Sequence, residues 1–206
     1  MSQKQKGMFQ FILAVDAENS GIAYKQDDPS YDVQNDVAYQ AVAMGLVVAN
    51  ARTLMPVEEL YLEIQWDGVS GWQVAAEKIH GLSKAHLDKN GVSSEEAVVQ
   101  IGELILKYWG PNGPVGLLGH NVTAFDLPFL RRLLRSQELE INFGYRHVDT
   151  HSVGFAMLDT YNSDNLFEMV GLPPRGETKH NALSDAKAAL EVCRRVRALY
   201  NHFTQE

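Results

Sequence analysis

The chain has 206 residues, 45% of them hydrophobic and 21% charged, which suits one well-packed globular domain and only weakly suggests two. Its net charge of −8 argues against a broad basic surface that coats duplex nucleic acid, although bound divalent metals would invert the charge of a small acidic site. The single cysteine, Cys193, excludes an internal disulfide, and no apolar run reaches the roughly 18 residues of a membrane helix. The opening "MSQKQKGMFQ" lacks the apolar centre of a signal peptide. The expectation is a cytoplasmic protein with no membrane span, a loose tip over 1–8 and one domain over 9–206.

In chain order, "FQFILAV" reads as the first strand, and the polar stretch from Gly21 to Asp36 as a surface loop. Two further strands follow, Ala41–Asn50 and about Glu58–Trp66, then a turn at "DGVSG". "WQVAAEKIHGLS" reads as a short helix broken at Gly81, followed by a loop. "SSEEAVVQIGELILKYWG" is a helix capped by Ser93 or Ser94, with acids in its first turn and Val98, Ile101 and Ile105 at helical spacing. "VGLLGHN" is a short buried strand, and "FDLPFLRRLLRSQ" a helix with Pro128 near its first turn, where proline is tolerated. "YRHVDTHSVGFAML" runs from strand to helix, with Asp149 as the cap between them. "NLFEMVGLP" is a short helix closed by Gly171 and the prolines. The last helix carries Leu183, Ala186, Leu190, Cys193, Val196 and Tyr200 on one stripe; Cys193 and the methionines read as core. Strands first, then alternating helix and strand, give an α/β fold: a mixed sheet with helices on its faces.

Four places put acids where structure alone does not ask for them, the weakest being Asp149 in "HVDTHS", which is kept as a structural cap. Asp16 and Glu18, two residues apart in a strand, point the same way and repel unless a cation joins them. Asp126 follows the buried strand, and Asp185 lies among Ala182, Ala186 and Ala189, where a helix approaches a neighbour closely. Carboxylates without a compensating lysine suit hard cations such as magnesium or manganese, and two such ions serve in-line displacement at phosphorus. His180 is five residues before Asp185, about 140° around a helix, so the two meet only if His180 sits in the loop before it. There it is placed to act as a general base.

"VDAENSG", "GHNVTAFDLPFL" and "HNALSDA" resemble the three motifs of the DEDDh 3′–5′ exonucleases, in the same order, and "KIHGLS" resembles a family loop near the substrate. The resemblance spans about Phe9 to Tyr200. It implies a ribonuclease H-like fold, two Mg2+ or Mn2+ ions per site, and release of nucleoside 5′-monophosphates from the 3′ end of single-stranded DNA or RNA. It also implies a homodimer or a polymerase complex as the assembly. By motif position, Asp16, Glu18, Asp126 and Asp185 correspond to the metal ligands and His180 to the general base. The terminal nucleotide would lie against Asn19 and Ser20 and near His80, Asn121 and Phe125. One departure stands out: Asn19 and Ser20 occupy positions usually held by two threonines, which bears on contacts to the sugar.

Taken singly, each motif has a plainer reading. Asp126 suits a helix N-terminus, Asp185 a solvated helix, His180 a surface loop and Phe125 a core. Arg131, Arg132 and Arg135 read as a solvated face or as contacts to a substrate backbone. His147 and His151 have zinc-pair spacing but lack further ligands. Two other functions therefore stand beside the exonuclease: an inactive nucleic-acid-binding accessory module on the same fold, and a zinc hydrolase. The intact set of four acids and a histidine argues against the module.

Overall fold

The computed structural model describes residues 10–21, 39–173 and 180–203. The expected N-terminal tip and nearly all of the loop over 21–36 lie outside them. The described residues form five strands: β1 (Phe11–Asn19), β2 (Ala41–Asn50), β3 (Pro56–Glu63), β4 (Leu117–Gly119) and β5 (Val148–Asp149). Their order across the sheet is β3-β2-β1-β4-β5. The first three form an antiparallel meander, whereas β4 and β5 join parallel to β1. The helices are α1 (Val74–His80), α2 (Lys84–Asn90), α3 (Ser94–Trp109), α4 (Asp126–Arg135), α5 (Thr150–Leu158), α6 (Ser163–Met169) and α7 (Ala182–Phe203). This is the mixed sheet with flanking helices that the sequence predicts, and it matches a ribonuclease H-like α/β fold.

Both faces of the sheet are covered, so β2 is an unbroken apolar run rather than an alternating one. On one face Leu13, Val15, Met44 and Leu46 pack with Ile101 and Ile105 of α3 and Leu130 and Leu134 of α4. On the other, Ala14, Val47 and Ala49 meet Ala186, Leu190 and Cys193 of α7. The small residues of this second layer allow a close approach. At Gly45 it becomes extreme: a Cβ there would fall on the backbone of Ala182 and Leu183, at the start of α7. Cys193 is buried as expected, and burial pushes its thiol up to about 11.

Several expectations are corrected. The third strand is Pro56–Glu63, not Glu58–Trp66: Ile64 N–H still donates to Val42 O of β2, but beyond it Gln65 N–H bonds to Val92 O. The loop after Gly81 contains α2, capped by the Ser83 side chain accepting from His86 N–H. Met44 is core, but Met55, Met157 and Met169 are exposed, and Tyr200 turns outward from the α7 stripe. Arg132 is not a solvated side chain: it donates to Tyr39 O and Ser70 Oγ and ties two loops together. Arg135 pairs with Glu140.

Candidate active site

Three elements bring the acids together. Asp16 and Glu18 lie within β1, which runs on to Asn19, and alternation turns both to the face that α7 covers. The intervening Ala17 N–H donates to Asp126 Oδ1 at 2.9 Å. That bond fastens the start of α4 against the strand, and Asp126 also benefits from the positive end of the helix. The turn before α4 has Asn121 at φ 58°, a left-handed conformation that asparagine tolerates. Asn121 O accepts from Ala124 and Phe125 N–H. Asp149 is the cap expected of it: one oxygen accepts from both His151 N–H and Asn121 N–H, locking this turn to α5. His120 adds contacts to Thr150 Oγ1 and Tyr161 O.

The third element is α7. Asn181 caps it, its side chain accepting from Ser184 N–H and its carbonyl from Asp185 N–H. His180 precedes the helix, as its spacing from Asp185 requires, and its N–H donates to Ile79 O of α1. Its Nδ1 then lies 3.6 Å from Asp185 Oδ2. One ligand atom from each of Glu18, His180 and Asp185 fits within a 4.8 Å group, the size of a metal site.

These side chains surround one cavity of about 350 Å³. Asp16, Glu18, Asn19, His80, Asn121, Phe125, Asp126, His180 and Asp185 all line it. Ser20 does not. Its hydroxyl donates to Gly71 O and accepts from Gln40 N–H, and its backbone N–H and C=O are bonded to Gln40 and Gln73. Ser20 therefore closes the end of β1 instead of facing a ligand. Asn19 does face the cavity, and its buried Oδ1 has no hydrogen-bond partner among the described residues. His80 is buried at the end of α1, its Nδ1 accepting from Leu82 N–H beside the edge of Trp72.

Neither lysine nor arginine lines the cavity among the described residues. Glu18, Asp126 and Asp185 are each buried. Burial pushes Asp126 up to about 8; N–H donation from Ala17 opposes this, and the charges of Glu18 and Asp149 add to it. A nearly all-oxygen donor set with no internal countercharge fits a hard divalent cation such as Mg2+ or Mn2+. Sequence reasoning missed two contributors. Gly45, a glycine inside a strand, carries the usual sign of a close backbone approach. Asn181 stands three residues before the Ser184 N–H that it caps, a standard helix-start spacing.

No protein-family model matches the chain, and no curated protein matches it in sequence. Solved structures do. E. coli exonuclease I in complex with an oligonucleotide superposes with a TM-score of 0.71 at 14% identity, covering 94% of this chain and 41% of that one. The nuclease domain of 3′hExo, a DEDDh family member bound to rAMP, superposes with a TM-score of 0.66 at 13% identity, covering 92% of both. This chain has the fold of the DEDDh exonucleases. A 3′-exonuclease that recognises the histone mRNA stem-loop gives a TM-score of 0.65 at 13% identity, covering 94% of this chain and 84% of that one. The resemblance read from the motifs therefore holds at the level of the fold. The chain spans about two fifths of the length of E. coli exonuclease I.

Proposed function

We propose that the chain is a divalent-metal-dependent 3′–5′ exonuclease, with residues 9–206 as one catalytic domain acting on single-stranded DNA or RNA. One observation carries this reading: Asp16, Glu18, Asp126, Asp185 and His180, distant in sequence, line a single cavity with no lysine or arginine among its described residues. Proteins of the same fold, at low identity, are exonucleases that act at 3′ ends.

In this reading Asp16, Glu18, Asp126 and Asp185 would hold two divalent ions, which when bound would supply an activated water and charge stabilisation at the leaving oxygen. His180 takes a proton from the attacking water on its imidazole. The Asp185 carboxylate, 3.6 Å from Nδ1, stabilises the imidazolium that forms. The water oxygen bonds to phosphorus as the bond to the preceding 3′ oxygen breaks. That oxygen takes a proton from solvent, leaving a nucleoside 5′-monophosphate and a new 3′ hydroxyl. Phe125 offers the terminal base a ring, and Asn19 Oδ1 is placed to accept from a sugar hydroxyl. Asn121 fixes the turn that presents Phe125, and His80 lines the same cavity.

The test uses DNA and RNA oligomers labelled at either end, with magnesium, manganese or chelator. The expected result is stepwise shortening from the 3′ end with either metal and none in chelator. Shortening from the 5′ end, or full activity in chelator, would overturn the reading. Oligomer binding without hydrolysis in either metal would point instead to the accessory module.

A further inference from the structure

From the cavity, a line of aromatic rings runs out across α5 to the surface. His120 lines the cavity, and its ring centroid lies 5.6 Å from that of His151. His151 is 5.5 Å from Tyr161, and Tyr161 stacks on Phe155 at 5.1 Å with 24° between the planes. Tyr161 and Phe155 are 60% and 52% exposed, although a stacked aromatic pair would ordinarily be buried for its area. The rings are held in place. His120 contacts Thr150 Oγ1 and Tyr161 O. Thr160 N–H bonds to Gly154 O, and a Cβ on Gly154 would crowd Thr160 O at 3.0 Å. The loop that carries Tyr161 thus packs tightly on α5.

We propose that His120, His151, Tyr161 and Phe155 form a stacking track for the bases of single-stranded nucleic acid upstream of the 3′-terminal nucleotide. This rests on the exonuclease reading, which seats that terminal nucleotide in the cavity where the track begins. The rings brace one another by edge and face contacts, which leaves the exposed surfaces of Tyr161 and Phe155 for bases to stack on, and every base has a face to offer. A chain of net charge −8 gains little from neutralising phosphates, so stacking carries the contact. The track favours single strands, because paired bases cannot present their faces.

The experiment is fluorescence anisotropy with 5′-labelled oligothymidylates of about 3 to 12 nucleotides, their 3′ linkages made phosphorothioate to resist hydrolysis. Affinity of the wild-type chain should tighten with length until the track is filled. The double variant Tyr161→Ala/Phe155→Ala should flatten that dependence, weakening the longest oligomer roughly 10- to 100-fold at an unchanged melting temperature. Tyr161→Trp/Phe155→Trp should restore it. An Ala/Ala variant with the wild-type length dependence would overturn the track. So would a change from dimer to monomer in sedimentation with oligomer binding intact, which would make the ring face an interface between copies. Hydrolysis of unmodified oligomers, measured in parallel, separates the two ideas. No cleavage by wild type, with the length dependence present, would sink the catalytic reading and leave the track standing.

Discussion

His180 shows how much of this site rests on single side chains. It is held by its own N–H to Ile79 O and by the proximity of Nδ1 to Asp185. His180→Gln should keep those placements but cannot take a proton, so turnover should fall roughly 10²–10⁴-fold while oligonucleotide binding persists. Near-wild-type turnover in that variant, measured at saturating metal, would remove His180 from the mechanism. Gly45 is the opposite case, a residue with no chemistry whose missing side chain sets the distance between β2 and α7. Gly45→Ala should push the start of α7 outward, costing about 1–3 kcal/mol or more of stability by overpacking. It should also cost activity out of proportion, because His180 and Asp185 ride on that helix start. Urea unfolding and turnover measured on the same preparation would check both effects. Asp126→Asn keeps an oxygen to accept from Ala17 N–H but removes the carboxyl that a cation would need ionised, a group whose pKa burial already raises to about 8 without metal. It should melt no lower than wild type in chelator, yet lose the rise in melting temperature that magnesium or manganese gives wild type. A lower melting temperature in chelator would show that the charged carboxylate, not the oxygen, holds α4 to β1.

At the scale of elements, the site is set by how α4, α6 and α7 are fastened. Asp126 ties α4 to β1, Asn181 caps α7, and Arg195 reaches from α7 to Val170 O at the end of α6. Glu191 organises that last contact by accepting from both Arg194 and Arg195. Hydrogen bonds from Arg194 and then Arg195, with their charges, outweigh burial and hold Glu191 down at about 2 against an ordinary 4.5. A carboxylate with a depressed folded pKa stabilises the fold above its unfolded pKa, and that stabilisation fades as pH falls through the folded value. Glu191→Gln should therefore lower the melting temperature by a few degrees near neutral pH, a modest effect because the group is partly solvated. The gap to wild type should close between about pH 4.5 and 2. Calorimetry across that range checks it; a gap that widened in acid would contradict the assignment.

At the scale of the molecule, three buried carboxylates converge from separate parts of the chain with no lysine or arginine among the cavity's described lining. An ion that binds only the folded state should stabilise it in proportion to the logarithm of its concentration. Wild type should melt higher in magnesium or manganese than in chelator, by an amount that grows with metal. A melting temperature indifferent to both ions would contradict the metal site independently of any nuclease assay. No described helix is long and apolar enough to cross a membrane.

Local chemistry by itself determined much of this protein. The periods of the apolar residues mark β1, β2, α3, α4 and α7, because strand and helix each impose a repeat that only burial on one or two faces produces. The acids and His180 stand out because carboxylates after an apolar strand are costly without a partner. Other features had no local signature. The end of β3 is set by the bridge of Ile64 to Val92, and Ser20 and Arg132 are consumed by loops distant in sequence. The aromatic line from His120 to Phe155 exists only because the loop after α5 folds back on it. These were decided by the tertiary structure, since a hydrogen-bond partner or a ring contact from a remote segment leaves no periodicity in the residues that receive it.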